Sequence, residues 1–314
     1  MSFSVTILGS SSAKPTVGRH PSSQVVNLCE QHYLVDAGEG CQQQMFRYGV
    51  NPLKLRAIFI SHLHGDHVYG LFPLLSTLGL YGRKSSLTIY APRPFGEILE
   101  SHLRYFDNNL SFEVEWVEVD TKRHKCIFEN RTLEVWSIPL KHRVPTSGYL
   151  FCEKDPPLNV DKFKIEKYSL SIAQITAAKR GEDVELASGE VLPNEEITYS
   201  PRKGRRYAYL SDTSYSERAA RLCRGANCEG GERDVDMLYH EATYSQSEES
   251  VASMRGHSTS SEAARAALIA GANKLILGHF STRYRDLSEI ANEARAIFSE
   301  SYVAEEGLKF EIEK

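Results

Sequence analysis

Residues 61–67 read Ser61-His62-Leu63-His64-Gly65-Asp66-His67, directly after the apolar run Ile58-Phe59-Ile60. Three histidines and a carboxylate packed into six positions are costly to hold together unless a cation neutralises them. Imidazole and carboxylate form the ligand set of zinc and its transition-metal neighbours. A strand ending here places His62 and His64 on one face by alternation. Asp66 and His67 then sit around the following turn, on a second side of the same pocket, which suits two metals better than one. One loop cannot supply every ligand of such a centre, and the chain holds 11 histidines. His20, His32, His102 and His124 lack flanks that suggest metal binding. His142 follows the run Leu133–Ile138 and a Pro139-Leu140-Lys141 turn, Asp212 ends the run Tyr207–Leu210, and His279 ends Leu275-Ile276-Leu277-Gly278. Each is a polar residue at the C-terminal end of an apolar run, where sites in α/β proteins collect. Singly, each is more often a turn residue than a ligand; as a set with the loop they supply the missing coordination.

The elements that must position these residues alternate along the chain. Strands are expected over Val5–Leu8, Val25–Leu28, Tyr33–Val35, Ala57–Ile60, Leu87–Tyr90, Leu133–Ile138, Arg206–Leu210, Asp236–Tyr239 and Lys274–Leu277. Phe112–Val119 alternates with period two, as a half-exposed strand does. Helical patterns cover Gly70–Leu80, Phe95–Phe106, Ser260–Ala270 and Leu287–Phe298; the third opens on the capping box Thr259-x-x-Glu262 and ends at Gly271. This alternation indicates a layered α/β protein with sheets inside and helices outside. Residues 153–203 break the rhythm, being rich in Lys, Glu and Asp with Pro156-Pro157, Gly181 and Gly189, and read as an insertion projecting from the body.

The 314 residues are 41% hydrophobic and 25% charged, ordinary values for a globular chain able to bury a large core. No apolar stretch approaches the length needed to span a bilayer, and Met1-Ser2-Phe3-Ser4 leads straight into Val5-Thr6-Ile7-Leu8 with nothing like a signal segment. The six cysteines are scattered and read as reduced thiols of a cytoplasmic protein, with a disulfide or structural zinc at Cys223 and Cys228 as the lesser option. A net charge of −4 argues against a protein coated in basic residues, although a nuclease needs only a local positive stripe. Arg202-Lys203-Gly204-Arg205-Arg206 is the best candidate for one, with Arg83-Lys84 second; such clusters are also commonly just a solvated face.

The His-x-His-x-Asp-His loop, with a later His, Asp and His each ending an apolar run, resembles the metallo-β-lactamase fold, an αββα four-layer sandwich with two metals at its mouth. The resemblance runs through nearly the whole chain. Leu34-Val35-Asp36-Ala37-Gly38-Glu39-Gly40 followed by Gln42 and Gln44, His240-Glu241-Ala242-Thr243, His257-Ser258-Thr259, and Gly278-His279-Phe280-Ser281-x-Arg283-Tyr284 narrow it to the ribonuclease Z family. Two departures stand out. The family's Pro-x-Lys-x-Arg-Asn-like segment is here Pro15-Thr16-Val17-Gly18-Arg19-His20, with His in place of the final Asn. Gly181–Val184 and Pro201–Gly204 match later features of the family's arm, but Tyr168–Lys179 contains no Gly-Pro motif.

The resemblance implies one metallo-β-lactamase domain over residues 1–314 with an inserted flexible arm at 153–203. It implies two Zn2+ ions per subunit, the first held by His62, His64, His142 and Asp212, the second by Asp66, His67 and His279, with Asp212 bridging. The implied activity is endonucleolytic removal of the 3′ trailer from precursor tRNA, leaving a 3′-hydroxyl on the tRNA. Asp66 would accept the water's proton, and His257, polarised by Glu241, would protonate the leaving 3′ oxygen. Asp36 would orient a ligand histidine from behind, as would His240; for both His257 and His240 the blander role is a hydrogen-bonded core histidine. Arg202, Lys203, Arg205 and Arg206 would run along tRNA phosphates, in a cytoplasmic homodimer with no membrane partner. The nearest alternative is a two-zinc phosphodiesterase of the same fold acting on a small phosphodiester, because fold does not fix function.

Overall fold

A computed structural model of the chain describes residues 2–106 and 109–313. Its first sheet begins with the antiparallel strands β1 (Phe3–Gly9), β2 (Ser23–Leu28) and β3 (Gln31–Ala37), and continues with the parallel strands β4 (Leu55–Phe59), β5 (Leu87–Ala91) and β6 (Val114–Glu118). Parallel neighbours need crossover connections. Helices α1 (Cys41–Arg47), α2 (Gly65–Val68), α3 (Leu71–Leu80) and α4 (Phe95–Tyr105) supply them. The second sheet is likewise part antiparallel and part parallel. It opens with the antiparallel strands β7 (Cys126–Glu129), β8 (Leu133–Pro139) and β9 (Ser147–Glu153).

The segment after β9 holds β10 (Asn159–Val160), α5 (Lys162–Tyr168), α6 (Ile172–Ala178), β11 (Val184–Glu185), β12 (Val191–Leu192), α7 (Asn194–Ile197) and β13 (Thr198–Tyr199). Its strands pair only with one another, β10 with β13 and β11 with β12. Val160, Leu170, Ala178, Val184, Leu192 and Ile197 bury a small core of their own there. Periodicity misses this core because its elements are too short, each contributing only one or two apolar residues.

The main sheet resumes with β14 (Arg206–Leu210), α8 (Glu217–Leu222), β15 (Met237–Glu241), α9 (Glu249–Arg255), α10 (Ser260–Ala270), β16 (Lys274–Gly278), α11 (Ser288–Ile297) and β17 (Ser301–Val303). A last strand, β18 (Lys309–Glu311), returns to pair with β1. The two seven-stranded orders are β18-β1-β2-β3-β4-β5-β6 and β17-β16-β15-β14-β9-β8-β7. No helix among the described residues is long and apolar enough to cross a membrane.

Strand alternation sorts the side chains into layers. Val35 and Phe59 join the core between the sheets with Tyr149, Phe151 and Tyr207, whereas Leu34 and Ile58 face outward against Met45, Leu71 and Leu74 of the covering helices. Phe59 meets Tyr149 at 5.4 Å and Phe151 at 5.5 Å between ring centroids, so aromatic contacts bind the two sheets together. With α8 and α10 closing the far side, the layers are helix, sheet, sheet, helix, as the resemblance implies.

α10 starts at the expected capping box and stops at left-handed Gly271. Several elements are not evident from sequence pattern, among them β7, β9, β17, β18, α1, α2, α8 and α9. β9 is buried along its whole length and so shows no alternation, and α1 opens on Cys-Gln-Gln-Gln, which has no apolar stripe.

Candidate metal centre

Three residues at strand ends hold a left-handed backbone although none is glycine: Asp36 (φ 55°) in β3, Asp212 (φ 51°) after β14 and His279 (φ 56°) after β16. Such conformations cost about 1–3 kcal/mol each and persist where the surroundings over-determine them. Here they turn three side chains out of the strand direction and into one seam between the sheets. The loop after β4 delivers the rest. Ile60 still pairs with Tyr90, and past it His62, His64, Asp66 and His67 wrap the start of α2.

Three overlapping groups of ligand atoms result, the third (Asp212, His257 and His279) sharing Asp212 and His279 with the two described next. His62, His64, His142 and Asp212 form one; Asp66, His67 and His279 form the other; within each, all atoms lie within 4.8 Å of one another. Asp212 faces both. Its Oδ1 stands 3.2 Å from His67 Nε2 and 3.1 Å from His279 Nε2, and its Oδ2 stands 3.7 Å from His62 Nε2 and 3.8 Å from His142 Nε2. Asp66 Oδ2 lies 3.5 Å from His67 Nε2 and 3.7 Å from His279 Nε2, and accepts the Ala13 amide at 2.8 Å.

Behind this array three of the five rings are held by their other nitrogen. His67 Nδ1 meets Asp36 Oδ2 at 2.7 Å, His142 Nδ1 meets the Gly256 carbonyl at 2.8 Å, and His279 Nδ1 meets Thr243 Oγ1 at 2.9 Å. The Nε2 atoms of these same three rings are buried without a hydrogen-bond partner. A buried polar atom that lacks a partner is destabilising. Three of them converging with two carboxylates is the pattern of a metal centre whose ligands are oriented from behind, and nitrogen with carboxylate oxygen is the donor set of zinc.

Electrostatics agree. Burial lowers the pKa of His62, His64 and His142, which keeps their rings neutral and able to bind a cation. Burial acts the same way on His67, but Asp212, Asp36 and Asp66 outweigh it and raise that ring well above the ordinary range. Asp212 and Asp66 are held well below the usual carboxylate range, their burial overcome by the surrounding imidazoles.

Beside the second group, Glu241 Oε1 meets His257 Nδ1 at 3.0 Å and accepts Thr213 N at 2.6 Å, while Oε2 accepts Thr243 Oγ1 at 2.5 Å and Ser258 N at 3.1 Å. Burial would lower the His257 ring; the Glu241 carboxylate reverses this and raises it to about 9. The His257 ring centroid lies 5.1 Å from that of His142 and 5.4 Å from that of His279, over both ligand groups.

Comparison with known proteins assigns the chain a family. The model of the beta-lactamase superfamily domain matches residues 31–280. Ribonuclease Z of Bacteroides thetaiotaomicron is 39% identical over 306 residues, covering 98% of this chain and 94% of the relative. Ribonuclease Z of Porphyromonas gingivalis is 38% identical over 310 residues, covering 99% of each. The chain belongs to the ribonuclease Z family. The solved structure of human tRNase Z, short form, shares the family's fold with this chain, at a TM-score of 0.71 and 24% identity over 99% of this chain and 100% of that one.

All seven residues read from sequence as metal ligands meet at this seam, with Asp36, Glu241 and His257 against them. Two other expectations need correction. His240, expected to orient a ligand, bonds the Glu241 carbonyl at 2.7 Å, and strand alternation turns it to the face opposite Glu241. The basic cluster is not an open stripe. Arg206 is wholly buried, donating to the carbonyls of Arg224, Arg233 and Gly231. Arg205, 5% exposed, and Arg202 both clamp Glu153, at 2.8 Å and 2.7 Å. Burial alone would raise the Glu153 carboxyl, yet the two arginines hold it down to about 2. Of the four basic residues only Lys203 is exposed.

Sequence reading also misses the groups that hold the site from behind. Ser61 and Tyr209 both donate to Asp36. Thr243, inside a recognised motif, carries a signal; the Ala13 amide and Gly256 carbonyl are backbone groups and carry none.

Two outcomes follow from this geometry. Asp212, Asp36 and Asp66 raise the pKa of the His67 ring, so a metal entering at this ring competes with a proton. Metal affinity should therefore rise with pH through the neutral range, by about tenfold per pH unit for each proton released. Calorimetric titration in buffers of different ionisation enthalpy reads this directly; pH-independent uptake would contradict it. Arg205→Ala should cost about 3 kcal/mol in urea unfolding, as loss of a buried ion-pair partner does, while leaving the salt dependence of RNA binding unchanged. A salt slope reduced by about 1 would instead identify Arg205 as a phosphate contact.

Proposed function

We propose that the protein is a two-zinc endoribonuclease that cuts the 3′ trailer from precursor tRNA and leaves a 3′-hydroxyl on the tRNA. The observation that carries this reading is Asp212, with one carboxylate oxygen toward each ligand group, in a chain 39% identical to a ribonuclease Z along almost its whole length. We assign His62, His64, His142 and Asp212 to one zinc, and Asp66, His67 and His279 to the other, with Asp212 shared. When bound, the two ions supply an acidified water and positive charge for the phosphodiester.

The chain's own residues do the rest. Asp66, one oxygen fixed by the Ala13 amide, accepts the proton of the attacking water. Asp36 fixes the tautomer of His67 by accepting from Nδ1. Glu241 orients His257 and keeps it protonated, so that at neutral pH the ring can give its proton to the departing 3′ oxygen. His257 is 14% exposed, open enough to meet a substrate arriving over both ligand groups.

RNA contact moves away from the buried arginines. Lys203 and the α5 residues Lys162, Lys164 and Lys167 take that role, with Phe163, 82% exposed, available to stack on a base. The exposed apolar residues Phe46, Leu53 and Tyr81 support a homodimer, and the free thiols of all six cysteines support a cytoplasmic setting.

The test is incubation of metal-replete protein with a 3′-extended precursor tRNA beside a small chromogenic phosphodiester. Cleavage just after the discriminator nucleotide, with a 3′-hydroxyl on the tRNA, is expected. Turnover of the small diester alone would overturn the substrate assignment. His257→Ala should keep both metals and RNA binding while slowing cleavage by about 10²-fold or more, as loss of a general acid does. Loss of metal in that variant would overturn the role given to His257.

A further inference from the structure

The segment from Ser10 to Pro21, between β1 and β2, borders the metal centre on one side and a buried acid on the other. Its base is closed by the His20 carbonyl, which accepts Ser10 N at 3.0 Å and Ser11 N at 2.9 Å. Its tip is rounded by Ser11 Oγ donating to the Lys14 carbonyl at 2.9 Å. Ser12 N donates to the Phe280 carbonyl at 2.9 Å and Phe280 N to the Ser10 carbonyl at 2.8 Å, which ties the loop to the residue after His279. At the tip Ala13, left-handed at φ 64° and itself exposed, points its N–H into Asp66 Oδ2.

The other side of the loop is clasped. His20 Nδ1 lies 2.9 Å from Glu306 Oε2, and the His20 amide donates to Glu306 Oε1. The Glu306 side chain is 8% exposed and also receives Gln44 Nε2 at 2.6 Å; the same Gln44 amide reaches the Leu8 carbonyl at 3.2 Å. Left-handed Gly40 makes room for the imidazole, since a Cβ there would stand 2.5 Å from His20 Cδ2. A buried carboxylate with three donors is a rigid anchor, because losing any of them leaves a desolvated charge short of a partner.

We propose that His20 and Glu306 are positioning residues for the hydrolysis: their clasp fixes the loop so that the Ala13 amide stays on Asp66 and holds the carboxylate facing the attacking water. This inference rests on the reading of Asp66 as proton acceptor. Neither residue touches the ligand groups. Releasing the clasp lets the loop relax and the amide leave Oδ2, so the carboxylate turns away from its working direction. Misplacement on this scale costs at least about tenfold in the chemical step and little in substrate binding.

The test compares wild type, His20→Ala, His20→Asn and Glu306→Ala, all metal-replete and labelled with 15N-alanine, in precursor-tRNA kinetics and in amide hydrogen exchange. His20→Ala and Glu306→Ala should lower kcat about tenfold or more with KM within about twofold. The Ala13 amide should exchange faster in the same two variants. His20→Asn, whose side-chain amide can donate to Glu306, should restore both readouts. An unchanged kcat, a loss confined to KM, or slowed cleavage with Ala13 exchange unaltered would each overturn the proposal. The exchange arm uses no RNA, so the two readings fail separately. Clasp-dependent protection of Ala13 with no cleavage by wild type would overturn the function and leave the clasp standing. Wild-type cleavage with clasp-independent kcat would overturn the clasp alone.

Discussion

One buried carboxylate holds the site together. Asp36, with no exposed surface, accepts Ser61 N at 2.7 Å, Ser61 Oγ at 2.9 Å, His67 Nδ1 at 2.7 Å and Tyr209 Oη at 2.6 Å. An ionised carboxylate is tolerated in an interior only when its oxygens are satisfied in this way. The donors come from the loop after β4, from the start of α2 and from β14 of the opposite sheet, so satisfying Asp36 requires that the two sheets and the histidine loop be in register. The left-handed turn that aims it inward is stable for the same reason.

From this anchor the charge pattern follows. Asp36 and Thr243 each take the Nδ1 of one ring, and the Gly256 carbonyl takes a third, so that three buried Nε2 atoms are left facing Asp66 and Asp212. Imidazoles whose pKa burial lowers, beside carboxylates held well below their usual range, leave the seam short of positive charge. A divalent cation at this cluster would complete the balance. The same economy explains Glu241, whose oxygens are occupied by Thr213, Thr243, Ser258 and His257 and which therefore keeps one imidazole charged at the edge of the centre.

What could be read from sequence divides along physical lines. The histidine loop is local, so spacing alone exposes it. His142, Asp212 and His279 show because a polar residue after an apolar run marks a strand end. The layered α/β architecture shows in the alternation of runs, but β9 and α1 do not, because a strand buried on both faces and a helix opening on glutamines lack the periodic contrast that pattern reading needs. Charge runs are the weakest signal. Arg205 and Arg206 look like an RNA-facing stripe and are in fact internal fasteners for Glu153 and for three carbonyls. His240 and Glu241 are adjacent in one motif, and only the strand's alternation decides that the acid, and not the histidine, meets the site. Backbone groups such as the Ala13 amide leave no trace in residue identity.

The most direct measurement is the zinc stoichiometry of the chain. Metal-free protein would be titrated with zinc and the complexes counted by native mass spectrometry. Two ions per chain, with Asp212→Asn reduced to one or none, is the result that a shared carboxylate between two ligand groups requires. A single ion in the native chain, or two in Asp212→Asn held as tightly as in the native chain, would contradict it.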